Sequence, residues 1–88
     1  MNIKILEEIF EEAYKVRARY VAVKVEISMA GNVSEEIIIN QLENIKEKLN
    51  YYKNAYNSNL TLKTYNGIKI VDCAYGDEFN DIEDWLMF

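Results

Sequence analysis

Apolar residues return every three or four positions through the start of the chain. Leu6, Ile9, Phe10, Ala13 and Val16 share one helical face, and Glu7, Glu8, Glu11, Glu12 and Lys15 fall on the other. This predicts a helix over residues 2–18. The period then drops to two. Val21, Val23, Val25 and Ile27 alternate with Ala22, Lys24, Glu26 and Ser28, the pattern of a strand with one buried and one wetter face. Residues 29–33 hold Gly31 and Asn32 and read as a loop. A second, longer helix is expected next. Asn32 or Ser34 is placed to cap it, and Glu35 and Glu36 suit the positive end of its dipole. Its stripe is Ile38, Leu42, Ile45, Leu49, Tyr52 and Tyr56, spaced four-three-four-three-four. Carried to residue 57, such a helix is about 36 Å long. A strand of eight residues spans about 27 Å. The helix end bearing Tyr51, Tyr52 and Tyr56 is therefore expected to overhang the sheet and offer an interface.

Residues 60–75 read as a β-hairpin about Asn66-Gly67, a pair that tolerates positive φ. Two registers compete. A two-residue turn pairs Tyr65 with Ile68. A three-residue turn pairs Thr64 with Ile68 but sets Lys63 opposite Lys69, an unfavourable pairing, so the first is preferred. The fold expected is α+β, in the order α-β-α-β-β with a terminal helical segment. A three-stranded mixed sheet is covered by the long helix, and a right-handed crossover sets the first two strands parallel. All 88 residues make one small domain, with a thin core. Within it, residues 76–88 form an acidic-aromatic segment expected to be helical and docked through Phe79, Ile82 and Trp85.

Composition narrows the chemistry. There is no histidine, which removes the commonest general base and metal ligand, together with any Cys–His nucleophile pair or Cys/His zinc site. The three glycines are too far apart to cradle a phosphate. Asp72, Asp77, Glu78 and Asp81 suit a hard cation, but residues 77–81 lack the alternating ligands and central glycine of a calcium loop. No catalytic residue, metal or cofactor is expected, and the chain reads as a non-enzyme. Cys73 is the single cysteine and is expected to be a buried small hydrophobe. The charged start does not read as a secretory leader, and no apolar run approaches membrane-spanning length, so a cytoplasmic location is expected.

Charge is unevenly placed. From Ile70 onward there are six acids and no bases; residues 1–69 hold nine acids and ten bases, so the last stretch carries −6 and the rest +1, giving the chain its net −5. A basic face for nucleic acid is missing. The opposite role is open. Spaced carboxylates on a rigid domain imitate phosphates and occupy a basic groove. The residues expected to bind such a partner are Asp77, Glu78, Asp81, Glu83 and Asp84, with Glu8, Glu11 and Glu12 as a second patch. Residues 81–88, acidic and ending in Phe88, loosely resemble the C-terminal tips of bacterial single-stranded-DNA-binding proteins. The rest of the chain lacks the five-strand pattern of their barrel, so their function is not carried over. In type, the chain resembles the small acidic inhibitors of host defence that phages encode, anti-CRISPR proteins among them, without a motif of any one family. The expected function is a non-enzymatic inhibitor that binds a basic, nucleic-acid-binding protein surface. The alternative is a self-associating structural or adaptor module, a homodimer through the second helix.

Overall fold

The computed structural model describes residues 1–80 and residue 82. Its elements are α1 (Ile3–Lys15), β1 (Tyr20–Met29), β2 (Asn32–Gln41), a 3-10 turn (Leu42–Asn44), α2 (Ile45–Ala55), β3 (Thr61–Leu62) and β4 (Tyr65–Gly76). The Asn2 side chain accepts the Ile5 N–H at 3.0 Å and starts α1. The helix stops at Arg17, which takes φ +60°. The Ala18 N–H then bonds the Ala13 carbonyl and the Arg17 N–H bonds that of Tyr14. This is a Schellman stop, with an arginine where glycine is the usual choice.

The second element overturns the sequence reading. Residues 32–41 are a strand, not the first turns of a helix. They return antiparallel along β1 in ten unbroken pairs, from Met29↔Asn32 to Tyr20↔Gln41. The tight turn between them holds Ala30 at φ +50° and Gly31 at φ +83°, the positive values that a type I′ turn needs. Three consecutive β-branched residues, Ile37, Ile38 and Ile39, disfavour a helix and suit a pleated ladder, and they outweigh the capping signals at Ser34, Glu35 and Glu36. No parallel crossover forms. Among the described residues the sheet has four strands in the order β2-β1-β4-β3, and every pairing is antiparallel.

The second helix is correspondingly short, eleven residues. It does not overhang: Tyr52 and Tyr56 are buried, and of the three tyrosines only Tyr51 is exposed. The last hairpin turns at Lys63-Thr64, closed by Leu62↔Tyr65, so neither of the two expected registers occurs. Asn66 and Gly67 lie inside β4 instead. Gly67 is required there by crowding. A Cβ at that position would lie 2.6 Å from the Tyr65 ring and 2.7 Å from the Ser28 carbonyl, to which the Tyr65 hydroxyl donates.

Both helices cover one face of the sheet. Leu6, Phe10 and Ala13 of α1 and Ile45 and Tyr52 of α2 pack on Val21, Val23, Val25, Ile70 and Cys73. Phe10 meets Tyr52 edge-on at 5.8 Å, and Glu7 pairs with Lys53 at 2.6 Å across the two helices. On the opposite face a smaller cluster joins Ala22 to Ile82, flanked by Tyr20, Ile37, Ile39 and Ala74. The architecture is a two-layer α+β sandwich. Among the described residues no helix is long and apolar enough to cross a membrane.

Candidate protein-binding surfaces

The residues proposed from sequence fall into three groups. Glu8, Glu11 and Glu12 lie exposed on the outer face of α1, whose inner face is locked into the core by Leu6, Phe10 and Ala13. Neither Glu8 nor Glu11 makes an ion pair with another described residue. Glu12 faces the Tyr75 hydroxyl. The Tyr75 pKa is raised by burial first and then by that carboxylate. Asp77 and Glu78 sit just past β4. The Asp77 carboxylate accepts the Arg19 N–H at 3.1 Å, so it fastens the end of β4 to the start of β1. The Glu78 side chain is exposed, and its carbonyl accepts the Ile82 N–H at 3.4 Å. Phe79 stacks on Tyr20 at 4.4 Å, and Phe79, Asn80 and Ile82 are helical. Asp81, Glu83, Asp84 and Trp85 lie outside the described residues.

The third group is the tyrosines. Tyr51, Tyr52 and Tyr56 do cluster, with ring centroids 5.3 to 6.5 Å apart, but two of the three belong to the core. Burial pushes Tyr52 up to about 12. The Asn40 amide opposes this, and the neighbouring Tyr56, Cys73 and Tyr51 add to it. Asn40 is itself buried; its Nδ2 donates to the Val21 carbonyl at 3.2 Å, and its Oδ1 has no hydrogen-bond partner among the described residues.

Cys73 is buried, and that burial, with Asp72 beside it, raises its thiol to about 12, far from a reactive thiolate. Among the described residues no three of His, Cys, Asp or Glu gather closely enough to hold a metal ion. The hollows are shallow. An apolar groove of about 330 Å³ runs between the helices, lined by Phe10, Tyr14, Ile45 and Leu49. It continues past Tyr14 and Lys46 into a hollow of about 260 Å³ bearing Arg17. A third, of about 370 Å³, lies beside Arg19 and Tyr20. Arg17 and Lys46 both lie over the Tyr14 ring, and Arg19 lies over Tyr20, so these cations are already engaged with aromatic faces.

One surface escaped the sequence reading. β2 is an edge strand, and its outer side pairs with no described residue. Of its ten residues only Asn40 is buried; Val33 is 64% exposed and Ile38 39%. The run of three isoleucines was its sequence signal. Comparison with protein-family models, with curated proteins and with solved structures finds no match, so the functional reading rests on these surfaces alone.

Proposed function

We propose that the chain is a non-enzymatic inhibitor that binds a basic, nucleic-acid-binding surface of another protein, in the manner of phage-encoded anti-defence proteins. The observation that carries this is the carboxylate stripe Glu8, Glu11 and Glu12. It stands on a helix whose buried face fixes its position; Glu8 makes no ion pair with a described residue, and Glu11 makes none either, although it lies in the field of the Lys53 ammonium. Charges held rigidly and left unpaired cost the partner's cations little reorganisation, which is what steering and complementarity require. Glu8 and Glu12 are one turn apart, about 6 Å along the axis. The excess of acids in the sequence points the same way, since the chain carries a net −5. Asp77 contributes less than the sequence suggested, because its carboxylate is bonded within the domain.

The test is a DNA-binding and cleavage assay on purified RNA-guided nucleases and other basic defence enzymes, with this protein as the added component. Inhibition of at least one enzyme is expected. It should weaken steeply between about 50 mM and about 500 mM salt, because exposed charges are screened. The Glu8→Gln/Glu11→Gln/Glu12→Gln variant should be weaker by about tenfold or more, as when rim and steering charges are lost. Equal potency of that variant, or potency independent of salt, would overturn the proposal.

A further inference from the structure

We infer that β2 is a self-complementary edge, along which two copies of this chain pair antiparallel about a twofold axis. The two-residue turn at Ala30-Gly31 makes Met29 and Asn32 a hydrogen-bonded pair, and such pairs recur at every second residue. The Leu42 N–H on the Arg19 carbonyl continues the same alternation past the strand's end. The backbone groups of Ser34, Glu36, Ile38 and Asn40 are therefore turned toward β1. Those of Val33, Glu35, Ile37, Ile39 and Gln41 are turned outward, toward no described residue.

Edges of this kind are normally guarded by proline, a bulge, shortness or an inward-pointing lysine. β2 has none of these: it is ten residues long, it pairs with β1 without a bulge, and it contains neither proline nor lysine. Its two acids, Glu35 and Glu36, lie on one side of the isoleucine run rather than astride it.

The occupant follows from symmetry. A twofold axis perpendicular to the sheet keeps each side chain on its own face, so residues of like parity must oppose. An axis at Glu35 or Glu36 sets like charges together and is disfavoured. An axis at Ile38 pairs Ile38 with Ile38 and Ile37 with Ile39. It also places Glu35 opposite Gln41 and Glu36 opposite Asn40, so no carboxylate faces another across the axis; the Asn40 amide stays turned into its own core, bonded to the Val21 carbonyl, and Glu35 keeps its pairing with Lys24. Ile37 and Ile39 exchange both backbone bonds across the axis, as do Glu35 and Gln41. The neighbouring register, centred on Ile37, sets Glu35 against Ile39 and Glu36 against Ile38, and so separates the apolar side chains. The Ile38 register is the one in which the edge matches itself in hydrogen bonding, in apolar contact and in charge. Two four-stranded sheets then become one.

Three measurements test this. Sedimentation of the full chain between about 10 µM and about 500 µM should show a reversible monomer–dimer equilibrium, by mass action. Ile38→Cys should cross-link to itself under mild oxidation, because a non-hydrogen-bonded antiparallel pair brings Cα atoms to about 4.5 Å, within the reach of a disulfide. Ile37→Cys should not. Amide exchange of the unaltered protein gives a readout that does not depend on any variant folding. The outward N–H groups of Glu35, Ile37 and Ile39 should be protected at the higher concentration only, and those of Glu36 and Ile38 at both. A monomer throughout the range, with outward amides exchanging equally fast at both concentrations, would overturn the inference. Cross-linking through residue 37 in place of 38 would overturn the register.

Discussion

Cys73 and Tyr52 give the core an alkaline limit. Both are buried against the helices, and burial disfavours their charged forms. The thiol rises from 9.0 to about 12 and the phenol from 10.0 to about 12. The folded protein therefore holds protons that the unfolded chain releases between pH 9 and 12. Stability is fully present below pH 9. It falls as pH rises, by about 1.4 kcal/mol per pH unit for each group that has passed its unfolded pKa. Denaturant titrations should be flat to about pH 9 and then steepen near pH 10, where Tyr52 joins. In Cys73→Ala the first decline should vanish and the onset should move to about pH 10. Stability that stays level in that variant's parent up to pH 11 would show these groups to be solvated. The same burial explains why the lone cysteine was readable from sequence as a packing residue, whereas the burial of Tyr52 and Tyr56 was not. A tyrosine at helical spacing faces a core or a partner with equal ease, and only the length of α2 decides between them.

At the scale of elements, the chain's first half divides cleanly into what was legible and what was not. The stripe Leu6, Phe10 and Ala13 and the alternation of Val21, Val23 and Val25 each fit one period, and both elements formed as the pattern required. Residues 32–41 fit two. Ile38 continues the 3.6-residue stripe of Ile45, Leu49 and Tyr52, and Ser34-Glu35-Glu36 supplies a helix start. The turn that settles the matter is weakly marked, because Ala30 occupies a position that asparagine or aspartate normally takes. Alanine at φ +50° costs about 1 kcal/mol, which asparagine largely avoids. Ala30→Asn should therefore stabilise the domain by roughly 0.5–1 kcal/mol, and should raise its melting temperature by several degrees. An unchanged midpoint would mean that the β1–β2 hairpin is held by its ladder alone. The opposite error occurred at Asn66-Gly67. There a strong turn signal lies inside β4, because glycine is needed beneath the Tyr65 ring and not for positive φ. The acidic stripe on α1 was legible because it lies on a helix whose period is unambiguous. The β2 edge was hidden with its strand.

At the scale of the whole molecule, the two proposed contacts respond to salt with opposite signs. Each copy carries a net charge of −5, so two copies repel at long range even though their paired edges set no carboxylate against another. Between about 0.01 M and about 0.1 M salt the Debye length falls from about 30 Å to about 10 Å, which removes most of that repulsion. Dimerisation through β2 should therefore tighten as salt is added over this range, by several-fold. Attraction between the α1 stripe and a basic partner should loosen over the same range, because the charges that attract are screened by the same ions. The surfaces are also separate: Glu8, Glu11 and Glu12 project from the helical layer, while the β2 edge is the rim of the sheet. An axis perpendicular to the sheet leaves both helical layers on the same side, so a dimer presents its two acidic stripes in one direction. Sedimentation and inhibition measured side by side across a salt series should show the two constants moving apart. Replacing Glu8, Glu11 and Glu12 with glutamine should spare the dimer, and Ile38→Lys, which sets two like charges face to face at the axis, should weaken it by about tenfold or more. Inhibition per monomer that survives Ile38→Lys would confine the function to α1. A dimer that weakens with added salt would mean that charge attraction holds the copies together, not the apolar edge of β2.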